Sequence, residues 1–391
     1  MVTMARRKLM SIAVDFGASA TKVIGICEGV IVSSIMSPEV IEIDRSSLEG
    51  KLDGYSIGKG SRHSTGEYAF VGVADRYYAV GALARRFGAF QRFKPLKVES
   101  AAYKVLAATS LLADRFDLGH SFDLSLGCLL PPSELADEEL LQGRLGEFLA
   151  EFDSPMGAMN VNLTSATFYP EGAGILELYQ HRHPSNLQSR VGILMAGHRN
   201  LTCYIATDGM VAGFASCDLG FNSWVKEVMN KTAGYQLETL SVALARYWTS
   251  KDVATLQPIL RRQDERSYPA EIVRLVEVIE QTHKIYCESV FNWLDEQLPS
   301  DLAAVMMSGG TADVLQAEFV AYFDARLPAH AELGGKAAIY GSNIGFHLPQ
   351  LDVPEGYQAR MADVYCLWEY LMPKPRLKST PKSLAKSTSK N

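Results

Sequence analysis

The reading of this chain turns on residues 11–35, SIAVDFGASATKVIGICEGVIVSSI. An apolar run at 12–14 ends in Asp15, a short loop of Gly17, Ala18, Ser19 and Ala20 follows, and Thr21 and Lys22 open a second run. Gly29 separates that run from a third at 30–35. The alternation predicts strand, tight polar loop, strand, turn, strand. Small residues let backbone amides approach an anion, a hydroxyl and a lysine stand beside them, and an aspartate at a strand end can face a hydrated cation. These are the parts of a nucleotide-phosphate cradle. A plain hairpin with a small-residue turn satisfies the same letters.

The pattern returns once. An apolar run at 191–195 leads into Gly197, His198, Arg199 and Asn200, then come runs at 201–207 and 210–215 joined by Asp208-Gly209, a strong hairpin turn. One such unit in each half predicts two similar lobes with a nucleotide between them, touched by both loops. Two further pieces fit that picture. Ser308, Gly309, Gly310 and Thr311 follow an apolar run at 303–307 and precede a helical pattern, where glycines let a base or ribose lie against backbone. Pro170-Glu171-Gly172 places a carboxylate at a strand-to-helix turn, suited to orienting a water for attack on a phosphoryl group or, more plainly, to the first turn of a helix.

Composition bounds the rest. With 391 residues, 47% hydrophobic and 21% charged, the chain is a globular protein too long for one ordinary core. Residues 373–391 carry five Lys, one Arg and no acid, which leaves the body strongly acidic within the net charge of -6. An acidic body is a poor general nucleic-acid binder, so polyanion contact falls to the tail. The tail is rich in Pro, Ser, Thr and Lys, lacks aromatics, and reads as disordered. Six isolated cysteines form no CxxC or His-Cys cluster, which argues against a zinc site or disulfide framework and for buried thiols in a reducing cytoplasm. No apolar run is long enough to span a membrane, and Arg6-Arg7-Lys8 precedes too short a run for a signal peptide.

Along the chain, 38–66 reads as loop or insertion and 68–80 as a hairpin. Helices are expected over 82–90, 100–116, 133–151 and 175–181, with strands over 122–130 and 161–168. The polar His181-Arg182-His183-Pro184 marks a lobe boundary. Helical patterns follow over 221–232, 237–247, 253–262, 269–298 and 312–326, and a last one over 362–371 crosses back to the first lobe.

In order, these residues resemble the actin-like ATPases, and among them the ParM/StbA-type plasmid-segregation filament proteins. Val14–Lys22 resembles the first phosphate loop and Leu129–Glu134 the connection before the first interdomain helix. Phe168-Tyr169-Pro170-Glu171 resembles the segment whose Glu positions the hydrolytic water. Met307–Thr311 resembles the adenosine motif, and 338–345 the second interdomain connection. Lys226 and Glu227 fall where the family contacts base or ribose.

The resemblance implies an α/β, actin-like (duplicated RNase H-like) fold with a nucleotide cleft. The first lobe would take residues 1–185 with 340–372 returning to it, the second 186–339, and the tail 373–391. It implies ATP with Mg²⁺, Asp15 holding the metal through water, Lys22 on phosphate, and Glu171 orienting the attacking water. It also implies cytoplasmic filaments, self-association, an adaptor, and hydrolysis that controls filament turnover. One departure stands out. The family's second phosphate loop opens with Asp and has another soon after, whereas Met195 and Thr202 stand in those places here. Gly197 is kept, and His198, Arg199 or Asn200 would have to meet phosphate instead. The loss weakens hydrolysis more than binding, so a static nucleotide-binding scaffold is the alternative. A small-molecule kinase of the same superfamily would need a catalytic carboxylate over a polar pocket, for which no motif stands out.

Overall fold

The computed structural model of the chain describes residues 7–56, 68–89, 97–182, 189–261, 268–327, 338–340, 353 and 359–371. It opens with β1 (Leu9–Phe16), β2 (Thr21–Cys27) and β3 (Val30–Met36), an antiparallel meander. Glu28 and Gly29 take positive φ (49° and 84°) in the turn between β2 and β3, a geometry that matches the twist of the flanking strands. Next come β4 (Val40–Ile43), α1 (Arg45–Ser56), β5 (Phe70–Val73), β6 (Arg76–Val80), α2 (Ala82–Arg86) and α3 (Lys97–Arg115). β7 (Ser121–Leu130) leads through a 3-10 turn at Pro132–Asp137 into α4 (Glu138–Ala150), β8 (Phe152–Ser154), β9 (Gly157–Pro170) and α5 (Ala173–Arg182). Among the described residues the strands form one sheet in the order β3-β2-β1-β7-β9-β8-β5-β6-β4.

The second unit repeats the meander as β10 (Val191–Ala196), β11 (Leu201–Thr207) and β12 (Met210–Cys217). It continues with α6 (Phe221–Lys231), α7 (Leu237–Ser250), a 3-10 segment at Val253–Ile259, α8 (Tyr268–Gln297) and β13 (Ala304–Ser308). Then follow α9 (Gly310–Val314), α10 (Gln316–Asp324), β14 (Ala338–Tyr340), a 3-10 turn at Ala359–Met361 and α11 (Ala362–Leu371). The second sheet runs β12-β11-β10-β13-β14. The two units correspond in pairing: β1 lies between antiparallel β2 and parallel β7, and β10 between antiparallel β11 and parallel β13.

Burial follows the two-residue period of the strands. Ile12, Val14 and Phe16 face a core with α3 and α4, while Ala13 faces α11 through Val364, Leu367 and Trp368. In the second unit Leu194 and Ala196 face α6, α7 and α8, and Ile193 faces α5 and α11. Helices α5 and α11 are therefore a shared wedge between the sheets. Each large apolar side chain buried this way contributes about 1.5–3 kcal/mol.

Five expectations change. Residues 38–66 are not simply loop, because β4 gains β6 as a partner and α1 follows it. The helices expected over 133–151 and 253–262 are wholly or partly 3-10, with Pro132 and Pro258 in the segments concerned. The helix expected over 312–326 breaks at Leu315 between α9 and α10. Residues 338–340 are an edge strand on β13, and the return to the first sheet is made by α11; the rest of 338–345 lies outside the described residues.

Candidate functional site

The strand ends on the wedge side carry the chemistry. Asp15 and Lys22 are register partners across β1 and β2, both buried, and Lys22 Nζ donates to Asp15 Oδ2 at 2.5 Å. Phe16 and Thr21 form the next pair and face the opposite way. Thr21 is accordingly buried, its hydroxyl without a partner among the described residues, away from the loop where the sequence placed it. Gly17, Ala18 and Ser19 stay partly exposed, while Ala20 is buried at the base of the loop. A Cβ on Gly17 would lie 2.7 Å from the Ala20 carbonyl and 3.3 Å from Lys22 Nζ, so only glycine leaves the lysine room.

The corresponding partners in the second unit are Met195 and Thr202, with Ser308 beside Met195 on β13. The Thr202 hydroxyl is shared with Ser216 at 3.0 Å. The loop between them is built for helix packing. Gly197 and His198 carbonyls accept the Phe221 and Asn222 amides at the start of α6, and Asn200 Nδ2 donates to Ser216 Oγ. Burial, assisted by the Arg360 charge, pushes His198 down to about 4, so without a bound anion it is neutral at pH 7. Arg199 is exposed.

Thr311 also serves the protein. It is fully buried, donates to the Gly197 carbonyl at 2.6 Å and accepts from the Phe221 amide at 3.2 Å. Gly309 sits at φ 107°, where a Cβ would lie 2.3 Å from the Ala196 carbonyl. That glycine is required by β10 whatever lies in the cleft. Ser308 is buried beside it. Lys226 and Glu227 are exposed on α6.

Glu171 is anchored by its amide to the Leu130 carbonyl at the end of β7, and its carboxylate is paired with Lys97 at the start of α3. Burial works against the Lys97 charge, but Glu171 and Asp15 outweigh it and raise the lysine. Glu134 Oε2 accepts the Val98 amide at 2.8 Å and so caps α3 from a distant segment. Lys104, two turns along the same helix face, is buried and pushed down to about 8 by that burial and by Lys97.

The wedge contributes two more groups. Arg360 Nη2 donates to Ser19 Oγ at 2.5 Å, and its Nε would be 3.5 Å from a Cβ on Gly310. It thereby joins the first loop to the Ser308–Thr311 segment. Asp363 Oδ2 accepts the Gly172 amide at 2.7 Å at the start of α5, while Oδ1 is buried without a partner among the described residues. Burial, with repulsion from Asp15 and Glu171, pushes Asp363 up to about 7. A cavity of about 160 Å³ adjoins Glu171 and Gly172, walled by Pro132, Tyr204, Val211 and Phe214.

Sequence reasoning missed Lys97, Lys104, Arg360 and Asp363. None stands in a motif, and their partners lie far off in the chain: Lys97 meets Glu171 across 74 positions, Asp363 meets Gly172 across 191, and Arg360 meets Ser19 across 341.

Among the described residues no group of three or more His, Cys, Asp or Glu has the arrangement of a direct metal site. A divalent cation here would be held by phosphate oxygens and through its water shell, the habit of Mg²⁺. The donor set fits a nucleotide polyphosphate: Lys22, Ser19 and Arg360 offer hydrogen bonds, with Asp15 and the unpartnered Asp363 oxygen beside them.

Two matching strand meanders and a two-helix wedge between their sheets define an actin-like fold of the ParM type. In three dimensions the chain is similar to the actin-like protein Alp7A, at 15% identity and a TM-score of 0.60 over 92% of this chain and 95% of that one. It is similar to ParM of a 15-stranded filament from Clostridium botulinum, at 17% identity and 0.58 over 94% and 99%. Bacillus thuringiensis ParM with ATP aligns at 13% identity and 0.57 over 93% and 100%. No family model and no curated protein sequence matches the chain.

Proposed function

We propose that this protein binds ATP with Mg²⁺ in the cleft between its two sheets and assembles into ParM-like filaments whose turnover is set by hydrolysis. The buried Asp15–Lys22 pair carries the reading, because it puts a carboxylate and a cation at one strand end beside a loop of small residues. The solved ParM with ATP and the multi-stranded ParM filament support it by likeness of fold. In this reading Lys22, Ser19 and Arg360 hold phosphate oxygens, and Asp15 accepts hydrogen bonds from metal-bound water. A bound Mg²⁺ would supply neutralisation of the phosphate charge. Glu171 orients the attacking water once phosphate draws Lys97 away from it. The first lobe takes 1–185 with the return to it after 340, and the second takes 186–339.

Electron microscopy and sedimentation with and without ATP, alongside a phosphate-release assay, test this directly. Filaments that form with ATP and disassemble as phosphate is released are expected. Nucleotide-loaded protein that stays monomeric well above micromolar concentration sinks the filament reading.

Met195 and Thr202 favour a second reading, a static scaffold that binds nucleotide and barely hydrolyses it. Filaments that persist without phosphate release would select it, and Met195→Asp would then raise the release rate.

The basic tail, residues 373–391, lies outside the described residues. We read it as a tether to an acidic partner, an adaptor protein, a membrane surface or nucleic acid, in service of DNA segregation or cell organisation. Truncation after Met372 should abolish that association and leave polymerisation intact. Among the described residues no helix is long and apolar enough to cross a membrane, and the filaments are read as cytoplasmic.

A further inference from the structure

The end of β10 lacks the acid that β1 has, yet the space it would face is not without one. The wedge side of both meanders packs on α11, through Ala362 and Cys366 on one side and Val364 and Leu367 on the other, and Asp363 stands among these residues in the first turn of that helix. Gly172, whose amide it holds at 2.7 Å, has its would-be Cβ 3.6 Å from Met195 Cγ, which brings Asp363 to the neighbourhood of the missing carboxylate. It feels the charges of Asp15, Glu171 and Lys22, and Tyr204 on β11 feels Asp363 in turn. Asp363 is 2% exposed, and its second oxygen has no hydrogen-bond partner among the described residues. A buried carboxylate oxygen left unmatched is costly, so its retention at this point calls for a proton, a cation or a hydrogen-bond donor beyond those the described residues supply.

We propose that Asp363 replaces the acid absent from β10, sharing with Asp15 the hydrogen bonds from the water shell of the Mg²⁺ that accompanies the nucleotide. The proposal rests on the ATP–Mg²⁺ reading above. It moves the second acidic group from a strand end to the wedge helix and makes the packing of α11 against α5 part of the metal site. Removing a group that holds a metal's water shell typically lowers metal affinity about 10–100-fold.

The test is a titration of the full chain with a fluorescent ATP analogue, in EDTA and over a Mg²⁺ series, for wild type, Asp363→Asn, Met195→Asp and the double variant. The asparagine keeps an oxygen for the Gly172 amide, so α5 stays capped. Expected are an increase of about 10-fold or more in the Mg²⁺ concentration needed for half-maximal tightening in Asp363→Asn, nucleotide affinity in EDTA close to wild type, and recovery when Met195→Asp is added. An unchanged Mg²⁺ dependence in Asp363→Asn overturns the proposal, while ATP binding itself stands. Equal weakening with and without Mg²⁺, or a fall in melting temperature that accounts for the loss, shows a purely structural role and also overturns it. Failure of the wild-type protein to bind the analogue overturns the parent reading, and this one with it.

Discussion

Asp15 and Lys22 face each other across the β1–β2 ladder with 2.5 Å between carboxylate oxygen and ammonium nitrogen, and the pair that faces alike in the second unit, Met195 and Thr202, carries no charge. The duplicated meander is therefore symmetric in backbone and asymmetric in chemistry. A buried ion pair adds little net stability, but breaking it strands a charge. Asp15→Ala should cost about 3–5 kcal/mol in urea denaturation. The double variant Asp15→Ala/Lys22→Met should recover much of that stability and still fail to bind a fluorescent ATP analogue. A double variant no more stable than Asp15→Ala would contradict the pairing.

Glu171 should matter to hydrolysis and little to binding. Its amide fastens it to β7, and among the described residues its carboxylate pairs with Lys97 and makes no hydrogen bond to the first phosphate loop. Glu171→Gln should slow phosphate release by about 10²–10⁴-fold, with ATP affinity within a few-fold of wild type and filaments that persist longer. Phosphate release at the wild-type rate would remove Glu171 from the mechanism.

Lys104 predicts a pH effect on stability. Its ammonium titrates near 8 in the folded protein, against about 10.4 in an unfolded chain. Below pH 8 both states hold the proton and folding bears the full cost of burying the charge. Between the two values the unfolded chain binds more protons, so stability rises with pH, by about 3 kcal/mol in all. Denaturation of wild type and Lys104→Met between pH 7 and 10.5 checks this. The methionine variant should be the more stable at pH 7 and should lose the rise.

Gly309→Ala separates a structural glycine from a nucleotide contact. The left-handed backbone costs an alanine about 1–3 kcal/mol, and contact with the Ala196 carbonyl adds about 1–3 kcal/mol of overpacking. A melt of the nucleotide-free protein should show the loss in full. A variant as stable as wild type without nucleotide, but weak in binding, would assign Gly309 to the ligand instead.

Much of the fold was legible because it is written in local patterns. Alternating apolar runs with small-residue loops marked both meanders, and the Asp208-Gly209 turn set the hairpin that follows β11. Prolines limited the helices after β7 and after α7 less predictably, since a proline that stops one helix can sit inside a short 3-10 segment. The candidate site was legible only where a strand carries its own chemistry to its end, as at Asp15 and Lys22. Thr311 looked like part of the same nucleotide surface, but its hydroxyl is spent on Gly197 and Phe221, contacts that no spacing reveals.

Residues 11–35 by themselves determined the strand–loop–strand unit and put a carboxylate before and a lysine after its loop, while the structure's register made them cross-strand partners. Only the tertiary structure decided which groups surround them. Lys97, Arg360 and Asp363 come near them because α3, and α11 with the 3-10 turn before it, pack on opposite faces of one sheet, and that packing depends on burial spread over the whole chain.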